Sequence, residues 1–294
     1  MRVFYIACST LVLECSAGIF TVTAVCFIGA TVRRLKSMNS SLPLHPMPSP
    51  VDYLRTMWWL YWAPSEQRLA DLGFLSRHAF HDSVERTLSI IDENPVLSWD
   101  DRLLAEVPGE VFGDSKVCVD TTFMPIQRPH SEPEQRFCYD GRHRRHGLKY
   151  FLAVTVDKGL PVWWEGPFFP TINDNNIMDL SGMEERLLPH ELVLADGGFR
   201  GTAHRRTVLP FRHRDLDDDQ RVYNHIQRSV RVIVENVFRL VKQFEFCRTA
   251  FPRPTVGLRL DLHRRATGAI IKLIRTWVSL EPVIRHEPNG FLAL

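Results

Sequence analysis

Three acidic residues of this sequence, Asp120, Asp196 and Glu235, lie in settings that suit metal-dependent chemistry. Asp120 lies in an apolar, β-branched run that ends at Ile126, which is typical of a buried strand. A carboxylate there costs free energy unless cations or hydrogen bonds compensate it. Asp196 ends a second apolar run and precedes Gly197-Gly198, and Glu235 lies in a long amphipathic segment. Converging acids repel one another, so a divalent metal is their expected partner.

The elements that must position these acids follow from the spacing of the apolar residues. After the strand that holds Asp120, the sequence predicts a hairpin with strands over 149–156 and 160–164 and a turn at Asp157-Lys158-Gly159. A further strand ends at Asp196. Helices are predicted over 171–187, 217–246 and 258–277. This order predicts an α/β fold in which helices cover a mixed sheet.

The helix predicted over 217–246 carries Glu235 away from its apolar face. That face comprises Val222, Ile226, Val230, Ile233, Val237, Leu240 and Phe244. Glu235 instead shares a polar stripe with the basic residues Arg228, Arg231, Arg239 and Lys242. The helix is therefore expected to present one acid among several cations.

The region over 51–110 is predicted to be helical. An aromatic helix covers 51–62, a short helix covers 65–72, and a turn at Gly73 leads to a helix that Ser76 caps. The apolar positions of this last helix are Phe80, Val84, Leu88 and Ile91. Two helices joined by a glycine turn outline a helix-turn-helix that contacts DNA. A plain helical hairpin that packs on the rest of the chain is the alternative.

Residues 1–36 form an apolar leader, which ends in the basic run Arg33-Arg34-Leu35-Lys36. Its length suits a membrane span with the basic flank in the cytoplasm, and it also suits a secretory signal. We favour a third interpretation, an extension from a mispredicted start, because the rest of the chain is typical of a nuclear or cytosolic enzyme. Residues 37–50 are then a linker rich in proline and serine.

Composition and cysteine usage are those of an intracellular globular protein. The 294 residues are 45% hydrophobic, and 36 basic residues nearly balance 34 acidic ones. The six cysteines include no Cys-x-x-Cys pair, which argues against a zinc site or a disulfide framework. Basic residues cluster at 142–146, 204–206, 212–214 and 263–265. Such clusters around three acids favour a nucleic-acid substrate over a merely solvated surface.

Short motifs follow one another in a fixed order along the second half of the chain. They are Val119-Asp120-Thr-Thr with Ile126-x-Arg128-Pro129; Arg136-x-x-Tyr139 with His146-Gly-Leu-Lys149; Asn173-Asp174; Leu194-Ala-Asp196-Gly-Gly-Phe199; and Arg231-x-x-Val234-Glu235-x-x-Phe238-x-Leu240 with Lys242. In this order and spacing, the set resembles the DDE transposase domain of the Harbinger superfamily and its transposase-derived nuclease relatives. Where that family often has Ser or Thr and Tyr beside the second acid, this chain has Gly198 and Phe199.

The resemblance implies a ribonuclease H-like catalytic domain over 111–294 that cleaves DNA phosphodiester bonds and joins strands. It implies a two-metal site for Mg²⁺ (or Mn²⁺), in which the catalytic residues and metal ligands are Asp120, Asp196 and Glu235. Nucleic-acid contacts are expected from Arg128, His146, Lys149, Arg231 and Lys242. Asp174 is most simply a helix cap, and a role in the catalytic site is the alternative.

Two other classes of function stay open at this point. The chain could be a hydrolytic nuclease that never joins strands, or a domesticated, non-catalytic protein that binds DNA or a partner. The resemblance also implies a separate Myb-like DNA-binding partner and a nuclear location, and it is consistent with a homo-oligomer. Membrane contact, through residues 3–32, is expected only if the leader belongs to the native protein.

Overall fold

The computed structural model describes residues 48–63, 76–94, 96–107, 112, 114–201, 206–250 and 259–280. The apolar leader, the linker up to residue 47 and the short helix predicted over 65–72 with its glycine turn lie outside these residues. In the part of the chain that the structure describes, no helix combines the length and apolar character that a bilayer span requires.

The chain divides into two compact units. The first comprises 1–60 and 64–96, and the second comprises 61–63 and 97–294. Two helices, α1 (Pro50–Trp62) and α2 (Arg77–Glu93), are described in or beside the first unit. The Ser83 hydroxyl of α2 donates a hydrogen bond of 2.6 Å to the Asp52 carboxylate of α1. This bond is the main reason why the pKa of Asp52 lies below its ordinary value.

Helix α2 forms as its sequence predicts. Ser76 caps it, because its side chain accepts a hydrogen bond of 3.3 Å from the backbone N–H of Ala79. Phe80, Val84 and Leu88 are all buried, which confirms the predicted apolar period. The helix that would complete a helix-turn-helix lies outside the described residues, so that motif stays a prediction.

The second unit is built on a mixed sheet. Its strands are β1 (Ser115–Pro125), β2 (Tyr139–Asp140), β3 (Arg145–Thr155), β4 (Pro161–Phe168), β5 (Leu192–Leu194) and β6 (Thr207–Val208). The order β3-β1-β5-β6 forms the body of the sheet, and both β2 and β4 pair with β3. β1 is antiparallel to β3 and parallel to β5, and β3 and β4 form the predicted hairpin. The mixed sheet confirms the predicted fold class.

Helices flank this sheet, and two of them differ in extent from the prediction. They are α3 (Glu132–Cys138), α4 (Asp174–Leu180), α5 (Asp218–Val241), the single turn α6 (Glu245–Arg248) and α7 (Leu260–Leu280). The helix predicted over 171–187 ends at Leu180, because Gly182 adopts a φ of 64° that terminates it. The helix predicted over 217–246 ends at Val241, and the chain turns before α6.

The two faces of the sheet have separate cores. On one face, a cluster around α4 includes Val117, Val119, Phe151, Ala153, Ile177, Met178, Val193 and Phe199. On the other face α5 packs against β1 and β3, and α7 packs against β4. Because side chains alternate along a strand, Asp120 belongs to the α5 face and Thr121 to the α4 face. Helices on both faces of the sheet make the fold compatible with a ribonuclease H-like nuclease.

Helix α5 buries most of its predicted apolar face. Val230, Ile233 and Val237 are buried, as expected. Val222 is 57% exposed, so its assignment to the buried face is wrong. It lies in the first turns of the helix, beyond the part that packs on the sheet, while the core resumes at Val230.

A buried ion pair ties a loop to the start of β5. Arg102 and Glu191 are each 2% exposed, and their bidentate contacts measure 2.6 Å and 2.9 Å. The Glu191 carboxylate also accepts from the backbone N–H of Leu188, and Arg102 donates to the Trp99 carbonyl. The Arg102 guanidinium also lies 3.5 Å from the Asp100 carboxylate, so each charge in this pair meets opposite charge and further hydrogen bonds.

Candidate active site

The parallel pairing of β1 and β5 brings two of the predicted acids side by side. Cys118 on β1 pairs with Leu194 on β5, and Asp120 and Asp196 each follow two residues later. The buried Gln227 amide of α5 donates a hydrogen bond of 2.8 Å to the Ala195 carbonyl, next to Asp196. This bond fixes the end of β5 against the helix that carries the third acid.

A stripe at a spacing of four residues on α5 faces the two strands. Gln227 begins the stripe, and Arg231 and Glu235 continue it. The Arg231 guanidinium donates to Asp120 Oδ2 at 3.2 Å and to Glu235 Oε1 at 3.1 Å. Asp120 and Glu235 therefore contact the same cation, although far apart in sequence. The Glu235 side chain is 53% exposed, and that of Asp120 only 19%.

The Asp120 carboxyl holds its proton more tightly than an ordinary aspartic acid. Burial raises its pKa to about 7, and the negative charges of Asp196 and Asp174 add to the increase. The Arg231 cation and the N–H of Thr121, which donates to Asp120 Oδ1 at 2.8 Å, oppose it. Burial thus costs this carboxylate more than its guanidinium and backbone partners return.

A fourth carboxylate, Asp174 at the start of α4, reaches the same strand from the other face of the sheet. Its Oδ1 accepts hydrogen bonds from Thr121 Oγ1 at 2.7 Å and from Lys149 Nζ at 3.2 Å. The predicted cap role is wrong, because Asn173 caps α4 by accepting from the N–H of Asn176. Asn173 occupies the position before the first helical turn, which leaves the Asp174 side chain available to Thr121 and Lys149.

Asp174 and Asp196 approach each other across Gly198. Asp196 Oδ1 accepts a hydrogen bond of 2.7 Å from the Gly198 N–H. A Cβ at Gly198 would stand 2.9 Å from Asp196 Oδ1 and 3.2 Å from Asp174 Oδ2. The two oxygens are therefore separated by no more than the sum of these distances. Glycine at this position therefore allows both carboxylates to approach the backbone, where any Cβ would crowd them.

The five residues predicted to contact nucleic acid do not form one group. Arg231 contacts Asp120, and Lys242 directly follows α5. Burial lowers the pKa of Lys242, and the negative charge of Asp120 partly opposes this shift. Lys149 lies on the α4 face, where it donates to Asp174 and to the Ile172 carbonyl. Arg128 and His146 lie near the far end of the strands, where burial and the charge of Arg128 lower the pKa of His146.

Arg128 also differs from the other predicted cations in its contacts. Its guanidinium donates two hydrogen bonds, of 2.9 Å and 2.6 Å, to Gln135 Oε1, and its side chain is exposed. Gln135 in turn donates to the His130 carbonyl. Arg128 is therefore held on α3 and its preceding loop, away from the acids, and remains open to solvent.

Sequence reasoning missed the place of Arg212. A Cβ at Gly197 would stand 2.5 Å from the Arg212 guanidinium, so this cation covers the backbone beside Asp196. Asn224 on α5 holds the loop, since it accepts from the Phe211 N–H at 2.7 Å and donates to the Phe211 carbonyl at 3.0 Å. The basic cluster 212–214 indicated a possible role for Arg212 in the sequence. Its spacing alone does not show that the loop places this residue beside Asp196.

The donor set suits a divalent cation in chemistry, but its geometry is not closed around one. Carboxylate oxygens are hard ligands, and the repulsion that raises the pKa of Asp120 is what a divalent cation relieves. Among the described residues, however, no three His, Cys, Asp or Glu side chains lie close enough together to hold a metal ion. Arg231 explains in part why the acids do not close around a metal position, because its guanidinium donates to oxygens of both Asp120 and Glu235.

Comparison with known protein families agrees with this arrangement. Residues 119–274 match the family described as DDE superfamily endonuclease, which is more than half of the chain. The matched segment runs from β1 into α7 and includes Asp120, Asp174, Asp196 and Glu235. Searches of the curated proteins and of the solved structures found no match.

Proposed function

Because the chain belongs to the DDE superfamily endonuclease family, we propose that it is a metal-dependent DNA transposase or transposase-derived nuclease of the Harbinger type. The observation that carries the proposal is that Arg231 contacts both Asp120 and Glu235 beside the end of β5, where the parallel register also places Asp196 next to Asp120. Family membership supports DNA as the substrate. The Harbinger assignment rests on the ordered motifs of the sequence.

The proposed metal ligands are the three acids Asp120, Asp196 and Glu235. When bound, Mg²⁺ (or Mn²⁺) would stabilise the charge that develops on the phosphate and its leaving oxygen. A metal cation at Asp120 Oδ2 would repel the guanidinium that already donates to this oxygen, so metal uptake there favours the departure of Arg231. Arg231 then becomes available to a DNA phosphate, which its planar donors match.

The other residues of the site would position DNA and hold the acids. Thr121 binds Asp120 through its N–H and Asp174 through its hydroxyl, so it couples the two faces of the sheet. Arg212 beside Asp196 and Lys242 after α5 are the proposed phosphate contacts. With DNA in place, water attacks phosphorus and the bond to the 3′-oxygen breaks; in strand transfer a DNA 3′-hydroxyl replaces the water.

A second candidate function follows from Arg231. Because its guanidinium already neutralises Asp120 and Glu235 in part, the acids can persist in a folded protein that never binds a metal. Such a chain would be a domesticated protein that binds DNA or a partner without cleaving. This alternative predicts DNA binding that is insensitive to divalent cations.

One experiment separates the candidates. The purified chain is incubated with labelled duplex DNA in Mg²⁺, in Mn²⁺ and in EDTA, and the products are resolved by length. The proposal predicts cleavage in Mg²⁺ or Mn²⁺ and none in EDTA. Joined products would support a transposase, and cleavage alone a hydrolytic nuclease. Binding without cleavage in any cation would refute the enzyme and favour the second candidate.

The proposal extends to partners and location. DNA is the primary partner, and the Harbinger resemblance supports a separate Myb-like DNA-binding protein that delivers this chain to its sites. A homo-oligomer suits strand transfer, which acts on two DNA ends. A DNA substrate supports a nuclear location. Co-purification of a Myb-like protein with the tagged full chain from nuclei would test the first and last of these together.

A further inference from the structure

The turn between β2 and β3 carries a dense group of cations that the acid site does not use. The segment 141–150 contains four arginines or lysines and no carboxylate. Three of them, Arg142, Arg144 and Arg145, have exposed side chains at or next to the turn. We call these three residues the basic turn.

The base of the basic turn is fixed by buried groups. Asp140 accepts a hydrogen bond of 2.8 Å from the His143 N–H, and its carboxylate also lies 3.2 Å from His143 Nδ1. The Phe123 ring stacks on the His143 ring at 4.4 Å and fills the space above Gly147. The arginines therefore project from a defined loop, and a partner that binds them meets little ordering cost in the backbone.

The position of the basic turn relative to the acids follows from the strand register. β5 ends at Leu194, whereas β1 and β3 continue as a paired ribbon from Asp120–Leu152 to Pro125–Gly147. Arg145, the member of the basic turn that begins β3, lies seven residues from Leu152, the partner of Asp120, and seven residues along a strand span about 24 Å. Duplex DNA rises about 3.4 Å per base pair, so this length corresponds to about seven base pairs. The basic turn thus lies about seven base pairs from Asp120 along the ribbon.

We propose that the basic turn binds the phosphate backbone of the DNA flank, about seven base pairs from the bond that lies at the acids. The inference rests on the proposed function and adds a second contact region to it. Guanidinium groups match phosphate oxygens in charge and geometry. Exposed arginines without intervening acids give sequence-independent attraction, and so the turn would hold the duplex in register without reading its bases.

The test compares two turns at opposite ends of β3. The triple variant Arg142→Gln/Arg144→Asn/Arg145→Gln removes the charges, and Asn is chosen because residue 144 has a φ of 52° that Asn tolerates. The matched control is Lys158→Gln, an exposed cation in the β3–β4 turn. Binding of the full chain to labelled duplex DNA is measured over a range of salt, with hydroxyl-radical footprints of each complex.

The triple variant is expected to lower the slope of log K against log salt by about 2.7, which is about 0.9 for each lost phosphate contact. Its footprint should lose protection about seven base pairs from the cleavage position, and Lys158→Gln should change neither quantity. The thermal unfolding temperature of each variant is also measured. If the triple variant unfolds at the wild-type temperature, its loss of DNA affinity is caused by the changed turn and not by unfolding. If the triple variant unfolds below the wild-type temperature, the single variant Arg142→Gln is tested in its place, and it should lower the slope by about 0.9.

Two outcomes overturn the inference and differ in what they say about the proposed function. A wild-type protein that binds and cleaves DNA, with the wild-type slope and footprint retained in the triple variant, refutes the basic turn alone. A wild-type protein that binds no DNA refutes both proposals. Equal losses in the triple variant and in Lys158→Gln also refute the basic turn, because general charge would then explain the effect.

Discussion

The molecule handles buried charge in two different ways in the same unit. Arg102 and Glu191 form a bidentate pair in which both side chains are 2% exposed and the carboxylate has a further backbone donor. At the other end of β5, Asp120 and Glu235 share Arg231, and Asp174 contacts Lys149. One guanidinium there serves two acids.

The difference shows how charge that stabilises a fold can be told from charge that performs chemistry. In a matched pair, the attraction between the two charges and their hydrogen bonds offsets much of the desolvation cost, so the pair requires no ligand. A carboxylate that shares its cation with another acid is compensated only in part, and burial with mutual repulsion raises the pKa of Asp120 to about 7. A ligand can supply the missing compensation. Four variants test this contrast, taken from the largest expected effect to the smallest.

Asp120→Asn is expected to reduce Mg²⁺-dependent cleavage by about a thousandfold or more, because it removes one carboxylate of the charge-stabilising set. The free energy of unfolding should not fall at pH 7.5. Because the pKa of Asp120 is raised from 3.8 to about 7 on folding, its ionisation destabilises the fold progressively between these pH values and fully above about pH 7, and Asn cannot ionise.

Cleavage rate and urea unfolding of Asp120→Asn are compared with Asp219→Asn, an exposed acid in the first turn of α5. DNA binding should persist with its salt dependence, since cations carry it. A variant that cleaves at the wild-type rate, or that unfolds markedly earlier, would make Asp120 a structural acid like Glu191.

Arg102→Met tests the matched pair. It leaves Glu191 buried without its cation and should cost about 3–5 kcal/mol in the free energy of unfolding. Urea unfolding measures the loss. The double variant Arg102→Met/Glu191→Leu should recover most of it, because neither charge then remains buried. Equal destabilisation of the single and double variants would show that packing, and not the unpaired charge, is responsible.

His263 represents a third solution, a buried group kept neutral. Burial lowers its pKa to about 3, and its Nδ1 lies 2.7 Å from the Tyr150 hydroxyl. A base with a depressed folded pKa stabilises the fold fully above its unfolded value of about 6.5 and less as pH falls towards 3. Between pH 7 and pH 5 the loss should be on the order of 2 kcal/mol.

The measurement for His263 is urea unfolding at pH 7 and pH 5. His263→Gln, which does not titrate, should show a smaller difference between the two pH values than the wild type does. The exposed His190→Gln is the control. An unchanged pH dependence in His263→Gln would assign the acid sensitivity to other groups, such as the carboxylates of the acid site.

Arg231→Gln gives the smallest expected change. Removing the cation that occupies Asp120 Oδ2 should raise the affinity of the DNA-free protein for Mn²⁺ about tenfold, which is about 1.4 kcal/mol. Calorimetric titration measures it, with Arg228→Gln on an exposed face of α5 as the control. An affinity that stays level or falls would show that Arg231 does not compete with the metal.

Long periodic segments made most of the fold predictable from the sequence. β1, the β3–β4 hairpin, α5 and α7 are where apolar spacing predicted them, since their buried faces span many residues. The helix over 171–187 was overextended because its apolar residues continue past Leu180. A glycine at positive φ stops it, and such a local signal competes poorly with a longer pattern.

The acid site was predictable only in part. The position of Asp120 in a predicted strand and of Arg231 on the polar stripe of a predicted helix indicates that both residues contribute to the site. The sequence does not reveal that Lys149 pairs with Asp174 or that Arg212 covers Gly197. These contacts depend on which strands pair, in which register, and on how a loop returns, and no local pattern encodes them.

The register of β1 against β3 also governs how the length of this chain can change over evolutionary time. Nine consecutive pairs run from Val117–Thr155 to Pro125–Gly147. One residue inserted between Val117 and Asp120 would turn the Asp120 carboxylate to the α4 face, away from Arg231. Two inserted residues would restore the face but displace the acid by about 6.6 Å along the strand. Insertions and deletions are thus confined to the loops, and β1 can change only by substitution.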